Sequence, residues 1–79
     1  MNKRLAKYLE WVELDNYPKK TKRWHLVAMD GPVGCVRWYG GWRKYVFETF
    51  NANDFFDWEC LRMIAEFCEQ ETLKQLGKL

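Results

Sequence analysis

A nucleophile with a base beside it is the first chemistry to look for, and these 79 residues hold few parts for it. There is one histidine, His25, there are three cysteines, Cys35, Cys60 and Cys68, and there is no serine. His25 could serve as a general base, with a cysteine as its nucleophile. Cys60 and Cys68 read more simply as small apolar side chains on one helix face. Seven residues separate them, which is no zinc-knuckle spacing. A Cys3His set would need Cys35 and His25 brought beside them by folding alone. Gly40-Gly41 lies between two strand-like runs and is not a strand-to-helix phosphate cradle. The chain is therefore expected to be non-catalytic, with no metal and no cofactor.

Recognition is better supplied. Residues 37–45 read Arg-Trp-Tyr-Gly-Gly-Trp-Arg-Lys-Tyr, which gathers Arg37, Arg43 and Lys44 with four aromatic rings. Tyr39 and Trp42 could stack on bases while the three cations hold phosphates. Equally, aromatic rings with arginine make the anchor of a protein interface. A plainer reading puts Trp38 and Tyr45 in the core, with Arg43 covering Trp38 by a cation–π contact. That reading leaves Tyr39 and Trp42 unexplained, because adjacent exposed rings on a small monomer invite association. A second basic run holds Lys19, Lys20, Lys22 and Arg23; it could contact phosphates, although a solvated loop is the commoner outcome. The expected partner-binding set is Arg37, Tyr39, Trp42, Arg43 and Lys44, joined by Lys19, Lys20 and Lys22.

These residues need a scaffold. Within residues 2–14, Leu5, Tyr8, Leu9 and Val12 fall at helical spacing. A short amphipathic helix is expected there, with a strand as the alternative. Residues 16–22 form a polar loop, and Pro18 stops any helix at or before Tyr17. Three strand-like runs follow, at residues 23–29, 33–39 and 42–50. Asp30-Gly31-Pro32 turns between the first two, and Gly40-Gly41 between the last two. A two-residue turn at the glycines would set Trp38 against Arg43, Val36 against Tyr45 and Gly34 against Phe47 on one face. The other face would pair Tyr39 with Trp42, Arg37 with Lys44, Cys35 with Val46 and Val33 with Glu48. The first face is nearly all apolar and is assigned to the core. The second mixes rings with charge and is assigned to solvent or a partner.

A C-terminal helix is expected within residues 57–76. Asp57 suits its N-cap, and Phe56 with Leu61 fits a hydrophobic staple. Cys60, Leu61, Ile64, Ala65, Phe67 and Cys68 form its apolar face. Beyond Gln70 the phase slips, placing Glu71 and Gln75 on that face; the helix frays there, or Leu73 and Leu76 dock elsewhere. Gly77 is a natural stop. The fold class is thus α+β: a three-stranded antiparallel meander packed against a C-terminal helix, with a possible short N-terminal helix. One domain is expected over residues 1–79, with residues 1–22 as an extension, 23–50 as the sheet and 57–76 as the helix. Trp38, Val36, Tyr45, Phe47, Leu61, Ile64 and Phe67 are the expected core.

A chain this short buries only about 60% of its unfolded surface, so large side chains must carry the core. Five Trp, four Tyr and five Phe exceed that need, and the surplus belongs at the surface. The net charge of +2 divides unevenly. Residues 1–50 hold ten Lys/Arg against five Asp/Glu, and residues 51–79 hold three against six. A basic front and an acidic back permit nucleic-acid binding without requiring it. An odd number of cysteines at no framework spacing points to free thiols in a reducing cytoplasm. The opening residues lack the apolar core of a secretory signal, and no run approaches the ~20 apolar residues of a membrane span.

Two stretches carry a resemblance. Residues 36–47 (VRWYGGWRKYVF), followed by residues 56–67 (FDWECLRMIAEF), resemble a family of small proteins encoded by bacteriophages and prophages. Its members share a WY-x-x-WR-x-Y-x-F hairpin and an F-D-x-x-C-L helix start. Members often carry prolines at the hairpin tip and a Pro-Glu-Pro stretch after the last strand. Here Gly40-Gly41 and residues 49–53 stand in those places. The resemblance brings no established activity with it. It implies an accessory protein of the host-cell cytoplasm that binds and inhibits a host protein or ribonucleoprotein complex, a defence system such as CRISPR–Cas among them. Single-stranded nucleic-acid binding by the basic-aromatic face is the alternative.

Overall fold

The structure, a computed structural model, describes residues 9–14 and 21–78. Four strands and one helix follow one another along it: β1 (Glu10–Glu13), β2 (Trp24–Ala28), β3 (Gly31–Tyr39), β4 (Lys44–Thr49) and α1 (Trp58–Gln75). The strands form one antiparallel sheet in sequence order. The class is therefore α+β with a sheet of four strands, one more than the sequence reading counts.

The added strand is β1, in the segment where a helix was expected. Its register decides the matter: Trp11 lies opposite Leu26 and Val12 opposite His25. Period-two alternation sends Trp11 toward α1, where its ring stacks on Phe67 at 4.1 Å and 12°. Burying a Trp against a second ring outweighs the modest helix spacing of Leu9 and Val12. Residues 1–8 and 15–20, including Leu5, Tyr8 and most of the expected polar loop, lie outside the described residues.

Strand β2 alternates cleanly, with Trp24, Leu26 and Ala28 buried between half-buried His25 and Val27. Its turn into β3 uses Met29 and Asp30, and Gly31 takes a positive φ of 124° that L side chains rarely adopt. A bulge follows, where Leu26 pairs with Gly34 but Val27 pairs with Pro32. It leaves Val33 as the extra residue, which lets Pro32 sit in a strand.

One sheet face carries Trp11, Trp24, Leu26, Gly34, Val36, Trp38, Tyr45 and Phe47, and α1 packs across it. Trp24, Val36 and Tyr45 form the buried cluster, with Trp11, Trp38, Phe47, Phe67 and Cys68 around them. Tyr45 meets the edge of Trp24 at 5.5 Å and of Trp38 at 5.2 Å. Gly34 is required by that packing: a Cβ there would lie 2.4 Å from Phe47 Cζ.

The helix begins as its sequence suggests, with the Asp57 carboxylate accepting from the Cys60 N–H at 2.9 Å. It runs through the phase slip to Gln75 without fraying at Gln70. Thr72 explains the continuation. Its Oγ1 accepts the Tyr45 backbone N–H at 2.9 Å and donates to the Cys68 carbonyl at 2.7 Å. The helix thereby caps the outward edge of β4, which would otherwise expose an unpaired donor. The end is a Schellman motif: Gly77 has φ 72°, its N–H donates to Lys74 O, and the Lys78 N–H donates to Leu73 O.

The core differs from expectation in two ways: it includes Trp24 and Leu26 of β2, and α1 buries a different part of its apolar face. Cys60 and Ile64 are buried, Phe67 and Cys68 are half-buried, and Leu61 is 52% exposed with Ala65 beside it in solvent. The buried face is centred on Ile64, so Leu61 and Ala65 turn outward. Phe56 packs against Phe47 at 5.8 Å instead of leading a buried staple.

Candidate partner-binding surface

The hairpin joining β3 and β4 turns through four residues, 40–43, where two were expected. Trp38 lies opposite Tyr45, Val36 opposite Phe47 and Gly34 opposite Thr49. Every partner is thus displaced by two positions from the expected register. Two positions are one full period of a strand, so each side chain keeps its face. Trp38 is covered by Tyr45 in place of Arg43, and Tyr39 pairs with Lys44 in place of Trp42.

The larger loop has a local cause. The Trp42 and Arg43 N–H groups both donate to the Tyr39 carbonyl, at 3.1 and 2.9 Å. Arg43 carries a left-handed conformation, φ 55°, outside the glycine pair expected to make the turn. Such a conformation costs a non-glycine residue about 1–2 kcal/mol. Burying Tyr45 to 6% exposure between Trp24 and Trp38 more than offsets it. Gly41 also has a task, because the Tyr39 ring lies over it; a Cβ there would sit 3.0 Å from the ring.

Two rings are thereby presented at the tip. Tyr39 and Trp42 meet edge to face at 5.0 Å and 74°, and they are 40% and 68% exposed. Arg43 and Lys44 stand exposed beside them. Arg37 joins this face but is already engaged: its Nε donates to Glu48 Oε1 at 3.0 Å. The hydrogen bond and charge of Glu48 push the Arg37 guanidinium further above its already high range. Lys22 lies apart from the tip, 3.7 Å from Glu13. Lys19 and Lys20 lie outside the described residues.

Behind the tip the same face carries a row across three strands, His25 opposite Cys35 and Cys35 opposite Glu48. Here the Cys–His reading meets its chemistry. Burial and the charge of Glu48 push the Cys35 thiol up, and the His25 ring packs against Phe50 at 5.3 Å. Burial also raises Cys60, and it pushes Cys68 up to about 11. None of the three cysteines is joined in a disulfide, and raised values are the reverse of an activated nucleophile. Among the described residues, no group of three or more His, Cys, Asp or Glu is placed to hold a metal ion. An open groove of about 610 Å³ between Trp11 and α1 is edged by Glu66, Glu69 and Lys74. No helix among the described residues is long and apolar enough to cross a membrane.

A second exposed cluster escaped the sequence reading. Phe55, Trp58 and Leu61 are 76%, 65% and 52% open, and the Arg62 guanidinium lies 5.2 Å from the Trp58 ring centre. Its signal was present in the spacing of Trp58, Leu61, Arg62 and Ala65, one side of a helix. Assigning Leu61 to the core, and Ala65 to the same apolar face, concealed it.

Comparison with known protein families, characterised proteins and solved structures finds no match to this chain.

Proposed function

We propose that the chain is a non-catalytic binding module that docks onto a protein surface through its hairpin tip. The observation carrying this reading is the Tyr39–Trp42 pair, two exposed rings held edge to face on a hydrogen-bonded loop. Rigid aromatic groups with few rotatable bonds lose little entropy on binding, and they dominate interface energetics beside arginine. Arg43 and Lys44 add positive charge at the rim, which favours an acidic partner surface and speeds encounter.

Charge is what separates this from the nucleic-acid alternative. A single-strand groove needs cations along a backbone track as well as stacking rings. Glu48 sits within that track and neutralises Arg37. Two exposed cations at the tip suit the edge of a protein interface better than a phosphate path. The likeness to phage-encoded proteins makes a host complex the class of partner, with inhibition by occupying its surface. A defence ribonucleoprotein belongs to that class.

The test is capture from bacterial host lysate by the immobilised wild-type chain and by Tyr39→Ala/Trp42→Ala. A protein retained by the first and lost from the second is the expected result. Identical capture by both would refute docking through the tip. Salt-sensitive binding to single-stranded oligonucleotides, lost in the same double variant, would establish the alternative instead.

A further inference from the structure

α1 bears a second apolar stripe on a flank that the sheet leaves open to solvent. Trp58, Leu61 and Ala65 recur at helical spacing and are all exposed. A surface helix ordinarily turns charged and polar residues that way. Together with Phe55, just ahead of the helix, the large side chains present roughly 400 Å² of apolar surface. That is about half of one partner's share in an interface of standard size, enough for its dry centre.

The flanking charges select what covers the stripe. Arg62 lies over Trp58, and Glu66 and Glu69 follow one and two turns later on the same flank. The ion pairs among the described residues are Lys22–Glu13, Arg37–Glu48 and Lys74–Glu71, so these three charges are left for another surface. A second copy of the helix, running antiparallel with its Ala65 against Leu61, brings each Arg62 beside the other copy's Glu66. The same arrangement sets each Trp58 beside the other copy's Glu69. Both contacts occur twice under a two-fold axis. A parallel arrangement would oppose like charges. The small Ala65 lets the helix axes approach to about 8 Å, the near end of the usual range.

We propose that this stripe is the interface of an antiparallel, two-fold symmetric homodimer. It occupies the first half of α1. The hairpin tip lies toward the other half, since Tyr45 bonds Thr72. Two chains joined through the stripe therefore leave both tips open, and a bivalent molecule gains avidity for a repetitive partner.

Sedimentation velocity on the full chain, from about 5 µM to about 500 µM, tests this. The mass is expected to rise from 9.6 kDa toward twice that value. Leu61→Glu and Ala65→Glu should weaken association at least about tenfold while melting like wild type, because both sites are exposed. Arg62→Glu should weaken it about tenfold, and Arg62→Glu/Glu66→Arg should restore it. Tyr39→Ala/Trp42→Ala should dimerise like wild type, which separates this proposal from docking at the tip. A wild-type chain that stays at 9.6 kDa throughout, or a dimer that Leu61→Glu does not weaken, overturns it.

Discussion

Replacing Gly34 by alanine adds a single methyl group, and the structure dictates where it goes. The new Cβ would lie 2.4 Å from Phe47 Cζ, 2.8 Å from Phe47 Cε1 and 2.7 Å from the Glu48 carbonyl oxygen. Real carbon contacts do not approach so closely, so the ring or strand β4 must move. The ring also packs edge to face with Phe56 at 5.8 Å. Overpacking of this kind costs about 1–3 kcal/mol. Against it stands the lower backbone entropy of unfolded alanine, worth about 0.4–1 kcal/mol where the native conformation suits it. The balance is a loss of about 1–2 kcal/mol, or a fall in Tm of roughly 5–15 °C for a domain of this size. Thermal and urea unfolding of Gly34→Ala measure it directly. Phe47→Leu supplies the control, because it removes the ring atoms nearest the new methyl. In that background Gly34→Ala should cost at least about 0.5 kcal/mol less, a coupling that a double-mutant cycle resolves. Gly34→Ala melting at or above wild type, with no coupling to residue 47, would show that Phe47 does not lie over Gly34.

Further outcomes follow from the same contacts. Thr72→Val removes the acceptor of the Tyr45 N–H; it should cost about 1–2 kcal/mol in urea unfolding and speed amide exchange at Tyr45. The Cys68 thiol, raised from 9.0 to about 11 by burial, is protonated more strongly in the folded chain than in the unfolded one. Its contribution is complete below pH 9 and is lost progressively as pH climbs toward 11. Cys68→Ala should flatten that limb of the stability–pH profile relative to wild type. Tyr39→Ala/Trp42→Ala should change unfolding free energy by no more than about 0.5 kcal/mol per site, since both rings are exposed; a larger loss in calorimetry would mean that the tip rings hold the fold. Arg37→Ala breaks an exposed ion pair; it should lower the melting temperature only slightly, by an amount that fades with added salt.

The hairpin shows how much of the candidate surface is legible before folding. Alternation along residues 33–39 and 44–49 sorts Trp38, Val36, Tyr45 and Phe47 from Arg37, Tyr39 and Glu48, and the structure keeps that division. The partners across the ribbon were not legible in the same way. A shift of two residues leaves every face intact, so apolar patterning gives it no penalty. The contest lay between a glycine turn and the burial of Tyr45 against Trp24 and Trp38, and β2, far from the turn in sequence, decided it. The neutralisation of Arg37 shows the same dependence, because the new register brings Glu48 diagonally beside it.

Local chemistry determined what local chemistry can. The Asp57 cap, the stop at Gly77, the strand alternation and the thiols outside any disulfide were all written into neighbouring residues. Three features belonged to the tertiary structure alone. Residues 10–13 became a strand because Trp11 found Phe67 across the molecule. The helix passed its phase slip because Thr72 found the open edge of β4. The turn of α1 about its own axis, which carries Leu61 and Ala65 into solvent, was set by which side chains fit the sheet. Periodicity reports that a helix has an apolar side and how wide it is. Only packing against a particular surface selects which part of that width is buried, and the remainder becomes available to another molecule.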